Sequence, residues 1–192
     1  MVYKKTTEDL VQERPSPQIL RQLSRTPINV VVDNIRSLDN VGLIFRLCEL
    51  SRVNMLFLTG FTGHPGTPND DRDKDVIARH EHRIAKTAVY ALPHQPWTYV
   101  EDAVSLVAHL KEQGSQIIAM EQTKESAPYH KAQYQLPLTI IVGHEREGVR
   151  PELLELADTV VEIPVLGIGN SHNVATATGI LLYHILDKTN QL

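Results

Sequence analysis

The sequence predicts an α/β domain, a mainly parallel β-sheet with helices on both faces. Three observations predict it. Short runs of β-branched and aliphatic residues alternate with segments whose apolar residues recur at three and four. The first of those runs, Ile28 to Asn34, reads as a β-branched strand short enough to be buried on both faces. Two of the later runs end in glycine-bearing turns, at the edge where open α/β sheets place their ligands. The 192 residues, 42% hydrophobic and 22% charged, can bury roughly 70% of the unfolded surface. One core therefore suffices, and no internal repeat or domain break interrupts it.

Residues 1–27 read as an N-terminal arm or helix, ahead of a domain over residues 28–192. Residues 1–36 carry Lys4, Lys5, Arg14, Arg21, Arg25 and Arg36 against Glu8, Asp9, Glu13 and Asp33. That faint basic bias fits a solvated arm better than an RNA-gripping one. A buried strand is expected at Ile28 to Asn34. A helix follows in NVGLIFRLCELSRV, with Asp39 or Asn40 placed to cap it. Next come a strand at Met55 to Thr59 and the Gly/Pro-rich stretch GFTGHPGTPNDDRDKD, which reads as a mobile surface loop. Helices are expected over Val76 to Ala88 and over Glu101 to Gln113, the latter stopped by Gly114. Strands then fall at Gln116 to Met120, Leu138 to Val142 and Thr159 to Ile163. A short helix from Pro151 to Ala157 opens on its proline, and a last helix runs from about Asn173 to Asp187.

Several function classes drop out. The net charge of −4 argues against unselective coating of nucleic acid, though not against a selective RNA enzyme. The single Cys48 can form no internal bridge, so a reducing, cytoplasmic setting is expected. No apolar stretch has the length of a leader core or a membrane span. The turn DNIRSLDN after the first strand lacks the glycines of a dinucleotide-binding fingerprint, and no Walker A sequence occurs. His64, His80, His82 and His94 lack the HExxH spacing of a zinc hydrolase and read as surface histidines. Gly169-Asn170-Ser171-His172-Asn173 lacks the second glycine of a serine-hydrolase elbow.

Three separated motifs remain: Asn40-Val41-Gly42 followed by Arg46, IIVGHEREGV from Ile140 to Val149, and IPVLGIGNSHNVATATGILLYHIL from Ile163 to Leu186. In this order, with ADTVVEIP joining the last two, they resemble the SpoU/TrmH group of SPOUT methyltransferases over about residues 28–188. The resemblance implies transfer of a methyl group from S-adenosylmethionine to a ribose 2'-hydroxyl of RNA. It also implies a deep C-terminal trefoil knot and a homodimer whose interface includes the first and last helices. Periodicity alone shows neither. RNA is the expected partner, with no membrane and no DNA. The absence of a separate RNA-binding domain in the leading residues favours tRNA over rRNA.

The residues also admit blander roles. Arg46, six positions after Asn40, matches the family's catalytic arginine, although an arginine on such a helix is commonly a structural ion pair. A guanidinium keeps its proton, so it is expected to hold a phosphate and steer the hydroxyl, whose proton passes to phosphate or water. Asn40 and Asn173 have the chemistry of helix caps, as does Ser171. Glu145 would otherwise be a solvated carboxylate. The resemblance puts all four at the catalytic site, with Glu145 beside Arg46 or the RNA. For the cofactor, it maps Glu121, Gln122 and Thr123, then Gly143, then Ile163, Leu166, Ser171 and His172, where close backbone approach suits an adenine edge and a sulfonium. His144 and His172 depart from the family's usual Asn and Leu, and Val89-Tyr90 replace a small pair after Lys86-Thr87-Ala88. The rival reading is a binding module that keeps the fold without turnover.

Overall fold

The computed structural model describes residues 2–192; Met1, the first residue of the expected arm, lies outside that range. Two six-residue helices come first, α1 (Thr7–Gln12) and α2 (Pro17–Gln22), and neither buries a residue. Thr6 and Asp9 cap the first reciprocally, and Ser16 with Pro17 opens the second. The guanidinium of Arg52 ties down the end of this segment by donating to the carbonyls of Leu23 at 2.6 Å and Ser24 at 2.7 Å.

The remaining elements are β1 (Thr26–Asp33), α3 (Leu38–Leu50), β2 (Val53–Thr59), α4 (Lys74–Ala88), β3 (Trp97–Val100), α5 (Ala103–Glu112), β4 (Gln116–Met120) and β5 (Ala127–Pro128). After a single 3₁₀ turn come β6 (Leu138–Val142), α6 (Pro151–Leu156), β7 (Thr159–Glu162) and α7 (Val174–Lys188). Seven parallel strands form one sheet in the order β3-β2-β1-β6-β4-β7-β5. Strand alternation splits the core into two layers. Val30, Val32, Ile140 and Val142 face α3 and α7, where Phe45, Leu181 and Ile185 are buried. Val31 and Ile141 face α5 and α6, against Val107 and Leu153.

The sheet is as expected, with two strands added. β3 and β5 are short edge strands of half-exposed residues, so neither carries the apolar run that marks β1 or β6. The 60–73 loop is not the expected mobile surface segment. Thr62, Gly63, His64 and Pro65 are buried, and His64 stacks on Tyr99 with ring centroids 4.3 Å apart. Arg72 holds the loop from within: it pairs with Asp70 at 2.6 Å and donates to the carbonyls of His64 and Pro65. A polar composition conceals this, because one guanidinium can satisfy several carbonyls of its own loop. His64, expected on the surface, is 7% exposed. The cap of α3 is Ser37, which accepts from the Asn40 N–H, rather than Asp39 or Asn40.

Parallel strands bring every carboxyl end to one edge. β1 and β6 are neighbours there, yet the helix after β1 lies on one face of the sheet and the helix after β6 on the other. The chain thus parts at a topological switch point, which opens a crevice between the two turns.

Candidate active site

Glu145, in the turn after β6, reaches across the crevice to the turn after β1. Its carboxylate accepts from the N–H groups of Arg36 at 3.1 Å and Ser37 at 3.0 Å, and from Asn40 Nδ2 at 3.0 Å. Asn40 Oδ1 accepts in turn from Asn173 Nδ2 at 2.9 Å. Asn173 Oδ1 accepts the N–H groups of Ala175 and Thr176 and so caps α7. One line of hydrogen bonds therefore joins segments 105 and 133 residues apart in sequence. Each amide has its oxygen and its nitrogen committed, which fixes both orientations. Burial pushes the Glu145 carboxyl up, but the N–H groups of Arg36, Ser37 and Glu145 itself and the Asn40 amide outweigh it. The net position is below the ordinary carboxylate value, so Glu145 stays an anion at neutral pH.

Two further contacts shape the turn after β6. Glu121, just past β4, accepts the Val149 N–H at 2.7 Å, and its carboxylate occupies the space that a side chain on Gly148 would need. Gly148 has φ +72°, a conformation glycine adopts without strain. Deeper in the crevice, Arg150 grips the buried Asp33 through Nε at 2.8 Å and Nη2 at 3.2 Å, while Thr59 Oγ1 donates to the same carboxylate.

Around this frame lies a cavity of about 500 Å³, walled by Met120 to Gln122, by Gly143 to Arg146 with Gly148, and by Glu162, Ile163 and Asn170 to Val174. Gln122 Nε2 donates to the Asn170 carbonyl at 3.1 Å and ties two of these walls together. Three carboxylates against one guanidinium line it, a balance suited to a cation. A second hollow of about 410 Å³ adjoins it, lined by Arg36, Ser37, Asn40 and Arg83 and sharing His144, Glu145 and Arg146 with the first.

The profile of the SpoU rRNA Methylase family matches residues 27–183, nearly the whole sheet, the first two motif segments and the third as far as Tyr183. The chain belongs to the SpoU rRNA methylase family. Its sequence is 29% identical over 181 residues to a tRNA (guanosine(18)-2'-O)-methyltransferase of Aquifex aeolicus, covering 92% of this chain and 77% of that protein. A protein of the same description from Escherichia coli is 32% identical over 122 residues, 58% of this chain and 53% of its own length. The crystal structure of the A. aeolicus TrmH/SpoU tRNA modifying enzyme superposes with a TM-score of 0.71 at 26% identity, covering 91% of this chain and 83% of the other.

Within this SpoU chain, Glu121, Gln122, Gly143, Glu145, Ile163, Ser171, His172 and Asn173 line the larger cavity, and Asn40 lines the adjoining hollow. Three residues singled out by sequence lie elsewhere. Thr123 is turned into its own loop, donating its N–H to Ser126 Oγ at 3.1 Å. Leu166 is 99% exposed and lines neither space. Arg46 is exposed on α3, lines neither space, and has no hydrogen bond or ion pair among the described residues. Six residues along a helix turn a side chain about 120° away, so with Asn40 facing the crevice Arg46 points elsewhere. Glu145 accordingly stands against Arg36, Ser37 and Asn40 rather than beside the Arg46 of its own chain. Sequence reasoning missed Arg36, Arg83 and Arg146 as lining residues. Arg36 was the most findable, since it sits in the first turn at the ligand edge.

Proposed function

We propose that this chain transfers a methyl group from S-adenosylmethionine to a ribose 2'-hydroxyl of tRNA. The observation that carries the reading is the Glu145–Asn40–Asn173 line, which sets the family's three motif segments around one cavity. The tRNA assignment follows the relatives named above.

The residues present fit the cofactor. The cavity has the volume of a small-molecule site. Its acidic lining suits a cationic sulfonium, and at Gly143 the chain presents backbone without a side chain, because a Cβ there would collide with the backbone of Gly148. Glu121, Gln122, Gly143, Ile163, Ser171 and His172 would hold it. When bound, S-adenosylmethionine supplies an electrophilic methyl group. The chain's own contribution is positional: the hydroxyl must be aligned behind that methyl group and water kept out. Glu145, anchored by three donors and held as an anion, keeps the two turns in register. Ser171 and Asn173 stand at the end of α7 that meets the cavity.

Arg46 completes the site from a second copy of the chain in this reading. Leu43, Arg46, Leu47 and Leu50 share one face of α3, with Leu43 and Leu50 exposed, and Tyr183 is exposed on the adjacent α7. An arginine set among exposed leucines suits an interface better than bulk solvent. A homodimer packed on α3 and α7 would bury the leucines and carry Arg46 to the partner's cavity, where its fork can hold a phosphate and orient the hydroxyl. The segments after β6 and β7 would thread as a trefoil knot, with residues 28–192 as the catalytic unit behind the 1–27 arm.

The test is transfer of a labelled methyl group from S-adenosylmethionine to unmodified tRNA transcripts, followed by alkaline hydrolysis. Label in alkali-resistant dinucleotides is the expected result, because a methylated 2'-oxygen cannot attack its phosphate. Cofactor binding without any transfer would instead establish a binding module.

A further inference from the structure

Beside the smaller hollow stands an aromatic ring that the reaction as described does not use. Phe61 follows β2 and is 60% exposed, although its backbone is held from two sides. Its N–H donates to Asn34 Oδ1 at 3.0 Å, and Tyr99 Oη donates to the carbonyl of Gly60 at 2.8 Å. Asn34 and Gly60 both have positive φ, 58° and 61°, and the Asn34 side chain fills the space that a Cβ on Gly60 would take. The two tight turns interlock, and the ring is displayed on them without freedom of its backbone.

Exposed apolar side chains are common on protein surfaces, so exposure alone means little. The neighbours decide. The Phe61 ring meets His144 edge to face, with centroids 5.8 Å apart at 78°. His144 forms part of the ridge shared by the two spaces, and its Nδ1 accepts the N–H groups of Arg146 and Glu147 at 3.2 and 3.0 Å, which fixes the ring. Arg36, Arg83 and Arg146 line the hollow next to it. An aromatic ring on a held backbone beside the guanidinium groups of Arg36 and Arg146, with Arg83 paired to Asp39 at 2.7 Å, is the combination that binds one nucleotide of a single-stranded or unpaired segment, base on ring and phosphate on arginine.

We infer that Phe61 is the stacking platform for the base of the nucleotide that is methylated, with Arg36 and Arg146 taking its phosphates. This rests on the RNA 2'-O-methyltransferase reading above. His144 to Arg146 line both the hollow and the cofactor cavity, so a nucleotide seated in the hollow lies next to the donor. Stacking accepts any base, since every base has a π face; Phe61 confers affinity and placement and leaves base identity to other contacts.

The experiment compares wild type with Phe61→Ala, Phe61→Leu and Phe61→Trp, using a tRNA transcript that the wild type methylates. S-adenosylmethionine affinity by calorimetry and thermal melting report on folding and the cofactor cavity. Loss of one base–aromatic stack corresponds to about 5- to 150-fold in affinity. The Ala and Leu variants are expected to raise the RNA KM and Kd by that factor with cofactor affinity unchanged, and Trp is expected to restore both. Leu retains apolar packing against His144 and isolates stacking from support. An unchanged RNA KM in Phe61→Ala, full recovery in Phe61→Leu, or an altered oligomeric state with unchanged RNA KM overturns the inference. If the wild type methylates no RNA, the underlying reading fails instead and takes this inference with it.

Discussion

Replacing Asn40 by aspartate tests the polar line at its centre, because the exchange is isosteric and alters only hydrogen and charge. Asn40 Nδ2 lies 3.0 Å from Glu145 Oε1, so Asn40→Asp sets two carboxylates in contact. Two such charges about 4 Å apart repel by roughly 4 kcal/mol at an effective dielectric constant near 20. The pair can escape by taking up one proton, which costs about 1.4 kcal/mol for each pH unit above the ordinary carboxylate value, again roughly 4 kcal/mol at pH 7 and about 1.5 kcal/mol at pH 5. In the wild type the Glu145 carboxyl lies below its unfolded value, so its contribution is present above that value and is lost as pH falls through the folded one. In the variant the pair lies above, so the folded state binds the extra proton and stability falls as pH rises. Urea unfolding of both proteins between pH 5 and 7 should show the gap widening from about 1.5 to about 4 kcal/mol. Asn40→Ala serves as the control: it strands the Asn173 amide and removes one donor from Glu145, a loss of about 2–4 kcal/mol that is flat over the same range. Parallel curves for Asn40→Asp and wild type would refute the geometry.

Arg46→Ala should abolish methyl transfer while leaving melting temperature and S-adenosylmethionine affinity nearly unchanged, since the exposed side chain makes no hydrogen bond or ion pair among the described residues. Refolding it together with an Asn173→Ala chain should restore part of the activity through mixed dimers, and no recovery would argue against a shared site. Gly143→Ala should weaken cofactor binding at least tenfold by calorimetry, because the added methyl group meets backbone that cannot yield. Arg150→Met should cost roughly 3 kcal/mol in chemical denaturation, as it leaves Asp33, 1% exposed, without its cation. Burial holds the His64 ring below its ordinary value, so its contribution to stability is present above about pH 6.5 and is lost on acidification. His64→Gln should flatten the stability profile between pH 5 and 6.5, and an unchanged slope would place the titration elsewhere.

Much of this architecture could be read from residue order. Val30 to Val32 announced a doubly covered strand, and the glycine-bearing turns announced which edge carries the site. What escaped was whatever depends on partners distant in sequence. WTYV is half apolar and becomes a strand only because β2 offers its edge. The 60–73 loop looked mobile because its anchor is a single arginine whose contacts no composition reveals. Asn40 had the chemistry of a helix cap and, by resemblance, a place at the site, but neither reading named its two partners, at positions 145 and 173. The motif spacing that coupled Arg46 to Asn40 holds along the chain, but helix geometry sends the two side chains to different surfaces.

The Glu145–Asn40–Asn173 line also sets a timetable. A chain growing on the ribosome has made its first motif long before the last, yet no partial product can assemble this centre before residue 173 is free to fold back. At roughly 5–20 residues per second that is a wait of about 7–27 seconds, and Asn40 lacks its Asn173 partner for all of it. Premature termination anywhere before α7 would leave an inert product, and the arrival of chemistry in a translation reaction would report the completion of folding.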